Sequence, residues 1–193
     1  MPNYGDCKYW EERYEKQKGS TFDWLENYET LKPIMDELNF DKKSIKSLMV
    51  GCGNAEMSYD MYIDGYTSLT NIDISEVVIE QMKDKYNETT MKWDVMDVRD
   101  IKYPDNEFDL IVDKSTIDAI LCGESSFVNV AIMLNEIQRV LKVHGYYMII
   151  SYGQPENRIF HLEREHLGFD ISLYSIKKGY SIKEDDDIEK VSL

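Results

Sequence analysis

Residues 47–73 read SLMVGCGNAEMSYDMYIDGYTSLTNID. The apolar run before Gly51 predicts a short strand, over SIKSLMV (44–50). Gly51 and Gly53 then allow a tight turn and close approach of a ligand to the backbone. NAEMSYDMYIDG (54–65) predicts a helix closed by Gly65, and LTNID (69–73) a second strand ending on Asp73, 20 residues after Gly53. In a doubly wound sheet, ligands sit beyond the carboxyl ends of the strands, where a carboxylate on the second strand can accept both hydroxyl hydrogens of a ribose. Paired glycines followed by this acid point to an adenosine-type nucleoside.

The pattern continues outward in both directions. Ser75 is placed to cap a helix over EVVIEQMKDKY (76–86), in which Val78, Ile79, Met82 and Tyr86 follow helical spacing. Met91, Trp93 and Val95 alternate as in a strand, and FDLIVDK (108–114) is a continuous apolar strand after the turn signal PDNE. Residues 127–142 predict a helix with Leu134, Ile137, Val140 and Leu141 inward, and GYYMIISY (145–152) another strand. Strands alternating with helices from about 45 to 152 predict an α/β fold: a mostly parallel sheet with helices on both faces. Upstream, Trp10 and Tyr14 share one face of a helix, and YETLKPIMDELNF predicts a second helix.

A dinucleotide site wants a third glycine where this chain has Glu56, and a carboxylate beside pyrophosphate would be repelled. The expected ligand is therefore free of phosphates, and S-adenosylmethionine is such a ligand. Asp97, after the third strand, is placed to read an adenine amine; the alternative is that Asp97 and Asp100 only cap a turn.

The whole composition bounds the rest. The 193 residues suffice for one domain, and 42% hydrophobic content supports a core. The first 30 residues hold no signal-like apolar stretch and no run approaches the ~18 residues a membrane span needs, so the expectation is a soluble, non-secreted protein. Cys7, Cys52 and Cys122 are scattered, and His144, His161 and His166 show no ligand spacing with them, so no disulfide framework and no metal site is expected. A net charge of −15, from 37 acids against 22 bases, disfavours direct contact with nucleic acid and favours basic protein partners.

The segments YWEERY, FDW, GCGN, MDVRD, FDLIVDKSTIDAI and NEIQRVLK, in order from residue 9 to about 152, resemble a class I S-adenosylmethionine-dependent methyltransferase. More narrowly, the chain resembles the eukaryotic elongation factor 1-alpha lysine methyltransferases of the methyltransferase-like group. The resemblance implies one Rossmann-like domain over 1–193 with a seven-stranded sheet, its last strand antiparallel. It also implies a cofactor lid in 1–30, a core in 45–152 and methyl transfer to a lysine of a basic protein substrate. By the same resemblance Trp10, Tyr14 and Trp24 roof the cofactor, Gly51 and Gly53 face its methionine part, and Asp73 and Ile74 hold the ribose. Asp97 and Val98 hold the adenine, and Lys114 lies near the cofactor carboxylate. A lysine ending an apolar strand needs a partner; the cofactor carboxylate is a reasonable one, and a salt bridge to Asp113 or Asp118 is the alternative. Tyr152 and Thr116 are candidates for the substrate channel; no residue stands out as a general base.

Several positions depart from the family pattern. Met49 replaces an acid two residues before the first glycine, Ala55 replaces a frequent glycine, and Val143-His144-Gly145 replaces a usual Pro-Gly-Gly. FDISLYSIKK predicts a sixth strand, but the seventh is missing or divergent, with 184–193 an acidic tail. The resulting expectation is a cytoplasmic, monomeric protein-lysine methyltransferase with no membrane association. The alternatives are a small-molecule methyltransferase and a non-catalytic acidic binding module of the same fold; a nicotinamide oxidoreductase ranks last because of Glu56.

Overall fold

The structure, a computed structural model, describes residues 3–176 and 188–192. Five parallel strands form the main sheet: β1 (Lys46–Val50), β2 (Ser68–Asp73), β3 (Lys92–Val95), β4 (Phe108–Lys114) and β5 (Leu141–Ile150). Their spatial order is β3-β2-β1-β4-β5. The chain therefore builds outward from β1 to β3, then crosses back to lay β4 against the other side of β1. The reversal opens a crevice at the carboxyl ends of β1 and β4, where such sheets bind ligands.

The apolar runs are continuous because both faces are covered. Along β1, Leu48 and Val50 point to one face and Met49 to the other, and along β4 Ile111 opposes Leu110 and Val112. One face packs under α1 (Cys7–Lys16), α2 (Tyr28–Glu37), α3 (Met57–Ile63) and α4 (Glu76–Lys85). The other packs under α5 (Thr116–Leu121), α6 (Ser126–Val140) and α7 (Glu156–Leu162). On α6, Val130, Met133, Leu134, Ile137 and Val140 are buried at helical spacing. The Ser75 hydroxyl accepts from the Val78 N–H and starts α4, as its sequence predicts.

Three differences from the sequence reading concern the ends of elements and of the chain. The short helices α5 and α7, six and seven residues long, escape periodicity because each spans two turns or fewer. β5 starts at Leu141, so the last residues of the predicted helix 127–142 are extended. Among the described residues the main sheet has five strands, and the expected seven are not seen in it. The sixth strand, β6 (Ser172–Ile176), pairs antiparallel with β7 (Ile188–Ser192) in a separate two-stranded sheet. Half of the expected acidic tail is thus a strand: cross-strand pairing satisfies the backbone whatever the side-chain charge, which composition could not reveal. Residues 184–187 and 193 of that tail lie outside the described residues. Among the described residues, no helix is long and apolar enough to cross a membrane.

Candidate active site

The turn after β1 takes a left-handed backbone that favours glycine, and its surroundings leave little room for a side chain. Gly51 and Gly53 have φ of +57° and +54°. A Cβ on Gly51 would lie 2.1 Å from the Thr116 Oγ1, and one on Gly53 would lie 2.9 Å from the Tyr14 Oη. The Thr116 hydroxyl donates to the Val50 carbonyl at 2.9 Å, so α5 is clamped to the end of β1.

Asp73 joins this turn to β2. Its carboxylate is buried and accepts from the Gly53 N–H at 2.9 Å and from the Ser75 N–H at 3.0 Å, one on each oxygen. Each oxygen keeps a second lone pair. Burial pushes the carboxyl up, to about 6, against those backbone donors. At the end of β3, Asp97 is half-buried. It accepts from the Arg99 N–H at 2.9 Å and pairs with the Arg99 guanidinium, which holds its carboxyl below the usual range despite burial. The turn-capping role weighed for Asp97 is therefore present.

Over these strand ends lies a roof of aromatic residues from the N-terminal segment. Trp10 stacks on Tyr14 with centroids 5.8 Å apart. The Arg13 guanidinium lies over the rings of Trp10, Phe22 and Trp24, at 5.6, 4.9 and 5.1 Å from their centroids. The roof is tied to the sheet at several points. Glu11 accepts from the Glu76 and Val77 N–H groups at the start of α4, at 2.7 and 3.3 Å. The Asn54 amide donates to the Ser20 carbonyl at 2.7 Å.

Lys114 supplies another tie. Its ammonium is paired with Asp23 and donates to the Glu26 carbonyl at 3.1 Å, rather than meeting Asp113 or Asp118. Burial pushes this ammonium down, to about 8, and Asp23 is the adjacent counter-charge. Asp113 instead accepts from Thr116, Ile117 and Tyr147, while Asp118 pairs with Arg158.

Trp10, Tyr14, Trp24, Gly51, Gly53, Asp73, Ile74, Asp97, Val98 and Lys114 all line one cleft, as do Thr116 and Tyr152. Sequence reasoning did not single out Arg13, Glu11, Asp23 or Asn54. Only the spacing of Arg13, three residues from Trp10 in YWEERY, hinted at its partner. Glu56 also behaves unexpectedly: it does not line the cleft but pairs with Lys85 at 3.2 Å on the outside of α3. Repulsion by Glu56 is therefore not what disfavours a phosphate. The cleft's cations do that, because they are already engaged. Arg99 is held by Asp97, Lys114 by Asp23 and Arg158 by Asp118, while Arg13 is boxed by rings. Glycine turn, two strand-end carboxylates and an aromatic roof fit a neutral ribose and adenine joined to a cationic sulfonium.

Fold and site thus define a class I S-adenosylmethionine-dependent methyltransferase. The chain belongs to the methyltransferase domain family, whose pattern it matches over residues 48–149. It is 36% identical to the mouse eEF1A lysine and N-terminal methyltransferase over 169 residues, 84% of this chain and 24% of that protein. It is 29% identical to the Bos taurus EEF1A lysine methyltransferase 4 over 188 residues, 92% of this chain and 72% of that protein. The chain thus spans about a quarter of the first relative's length. Among solved structures it resembles the cyclase SpnF, with a TM-score of 0.67 and 18% identity over 90% of this chain and 77% of that one. It also resembles a SAM-dependent methyltransferase from Methanosarcina mazei, with a TM-score of 0.56 and 19% identity over 81% and 76%. That a cyclase shares the fold means that the fold alone does not set the reaction.

Proposed function

We propose that this protein transfers a methyl group from S-adenosylmethionine to a lysine of a basic protein, with elongation factor 1-alpha as the first substrate to test. The observation that carries the reading is the extent of similarity to proteins named as eEF1A lysine methyltransferases. It covers 84–92% of the chain and so runs well past the generic domain at 48–149.

When bound, the cofactor supplies an electrophilic methyl on sulfur, and the chain's residues must align and desolvate the acceptor. Asp73 and Asp97 take the ribose and adenine at the ends of β2 and β3. The Gly51–Gly53 turn leaves room for the methionine part, and Trp10, Tyr14 and Trp24 exclude water above it. Deprotonating a lysine at neutral pH costs about 4 kcal/mol. A weakly polar channel and a nearby cationic sulfonium lower that cost, whereas a free carboxylate at the acceptor would raise it. Two acids at the carboxyl end of β4 are already engaged: Asp118 with Arg158, and Asp113 with three hydrogen-bond donors. Thr116 is committed to Val50, which leaves Tyr152, 80% exposed, as the rim residue able to meet a substrate.

The test is incubation of the protein with labelled S-adenosylmethionine and purified eukaryotic elongation factor 1-alpha, followed by peptide mass spectrometry. Methyl-lysine at one defined position is expected. Label appearing only in small molecules, or no label despite S-adenosylhomocysteine binding, would overturn the reading.

A further inference from the structure

Beyond the cofactor cleft lies an apolar patch that methyl-donor binding does not use. Phe127 and Val128, in the first turn of α6, are each 60% exposed, and Phe160 of α7 is 62% exposed. The rings of Phe127 and Phe160 meet edge to face with centroids 6.4 Å apart, and both rest on His161, at 5.2 and 5.3 Å. α6 follows the carboxyl end of β4 and α7 follows that of β5, so the patch is on the same side of the sheet as the cleft. Arg158 and Ile159 of α7, and Tyr152 before it, line the cleft itself.

The support beneath the patch is fixed. The Asp118 carboxylate accepts from the Arg158 Nε at 3.0 Å, the Ser151 hydroxyl at 2.5 Å and the Tyr152 N–H at 3.0 Å. A Cβ on Gly153 would meet the Arg158 guanidinium at 2.3 Å, so this loop closes tightly on the ion pair. Side chains this large and exposed, clustered next to an active cleft, mark an interaction surface.

Charge selects the occupant. Glu156 and Glu163 lie four residues before and three after Phe160, on its face of α7, and Glu124 lies three residues before Phe127; Arg164, four residues after Phe160 and near His161, offsets one of them, so the patch keeps a net negative charge. All three glutamates are exposed, and none makes an ion pair or side-chain hydrogen bond among the described residues. A surface of this sign repels phosphate backbones and anionic lipid. It attracts a cationic polypeptide.

We propose that Phe127, Val128 and Phe160 form the docking surface for the protein substrate, accepting a basic segment that carries an apolar side chain beside the methyl-accepting lysine. The proposal rests on the lysine-methyltransferase reading. The apolar contact sets the register of the segment, and the unpaired glutamates draw it in without placing a carboxylate at the acceptor nitrogen.

The test compares methylation of purified elongation factor 1-alpha by the wild type, a Phe127→Ser/Phe160→Ser variant, a Glu156→Lys/Glu163→Lys variant and Ile63→Ser. Ile63 is an exposed control at the end of α3 remote from Gly53. Both double variants should lose at least tenfold in kcat/KM, mainly through KM, while Ile63→Ser should match the wild type. The thermal shift given by S-adenosylhomocysteine should be the same in all four, which reads folding and the cofactor site independently of methylation. Should the serine variant fail to fold, the glutamate variant decides. If the wild type methylates the lysine and the folded variants keep its KM within twofold, docking at this patch is overturned and the lysine reading stands. If the wild type methylates no lysine, both fall. If light scattering shows a wild-type dimer that the serine variant breaks, the patch is a self-interface and the proposal is likewise overturned.

Discussion

The protonation of Asp73 offers the sharpest test of the cofactor geometry. Both of its oxygens already accept a backbone N–H, so a ribose must use the remaining lone pairs. Protonation converts one of those acceptors into a donor. With the carboxyl at about 6, the ionised fraction falls from about nine-tenths at pH 7 to about one-tenth at pH 5. The affinity for S-adenosylhomocysteine should therefore drop about tenfold over that interval, about 1.4 kcal/mol. Stability runs the other way. The folded pKa lies above the unfolded value near 3.9, so the ionised group costs up to about 3 kcal/mol above pH 6, and that cost disappears below about pH 4. Asp73→Asn removes this cost but leaves one of two N–H donors facing an amide NH2, a penalty of about 1–3 kcal/mol. The two offset, so the variant should melt within a few degrees of the wild type while binding the ligand far more weakly at every pH. Isothermal titration calorimetry at half-unit pH steps, with differential scanning calorimetry of both proteins, measures all of this. A flat affinity profile for the wild type, or an Asp73→Asn variant that binds normally, would refute the assignment of Asp73 to the ribose.

Two further outcomes follow from the turn and the roof. Gly53→Ala must hold alanine at φ +54°, a cost of about 1–2 kcal/mol, with its methyl against the buried Tyr14 hydroxyl. It should lower Tm and weaken S-adenosylhomocysteine binding more than tenfold; unchanged binding in a titration would mean that the backbone here does not approach the ligand. Glu11→Ala leaves the first N–H groups of α4 uncapped and should cost about 1–2 kcal/mol. Hydrogen exchange at Glu76 and Val77 should accelerate, and unchanged protection there would show that the α1–α4 tie does not hold the roof.

The sequence by itself determined the alternation of strands and helices, because short apolar runs mark the strands, as at 108–114, and a 3.6 period marks the helices, as in Leu134, Ile137 and Val140. It also determined the glycine turn and the strand-end acids, whose positions depend only on where a strand stops. Their meeting in one cleft follows from strand order, and that order is set by the crossover from β3 back to β4. The tertiary structure alone decided the partners of charged groups far apart in the chain: Lys114 with Asp23, Glu11 with the start of α4, and Glu56 with Lys85 outside the cleft. It alone paired β6 with β7 in a sheet of their own. Ion pairs and strand ladders join residues with no spacing in common, so no local pattern encodes them; they exist only once the core has brought those surfaces together.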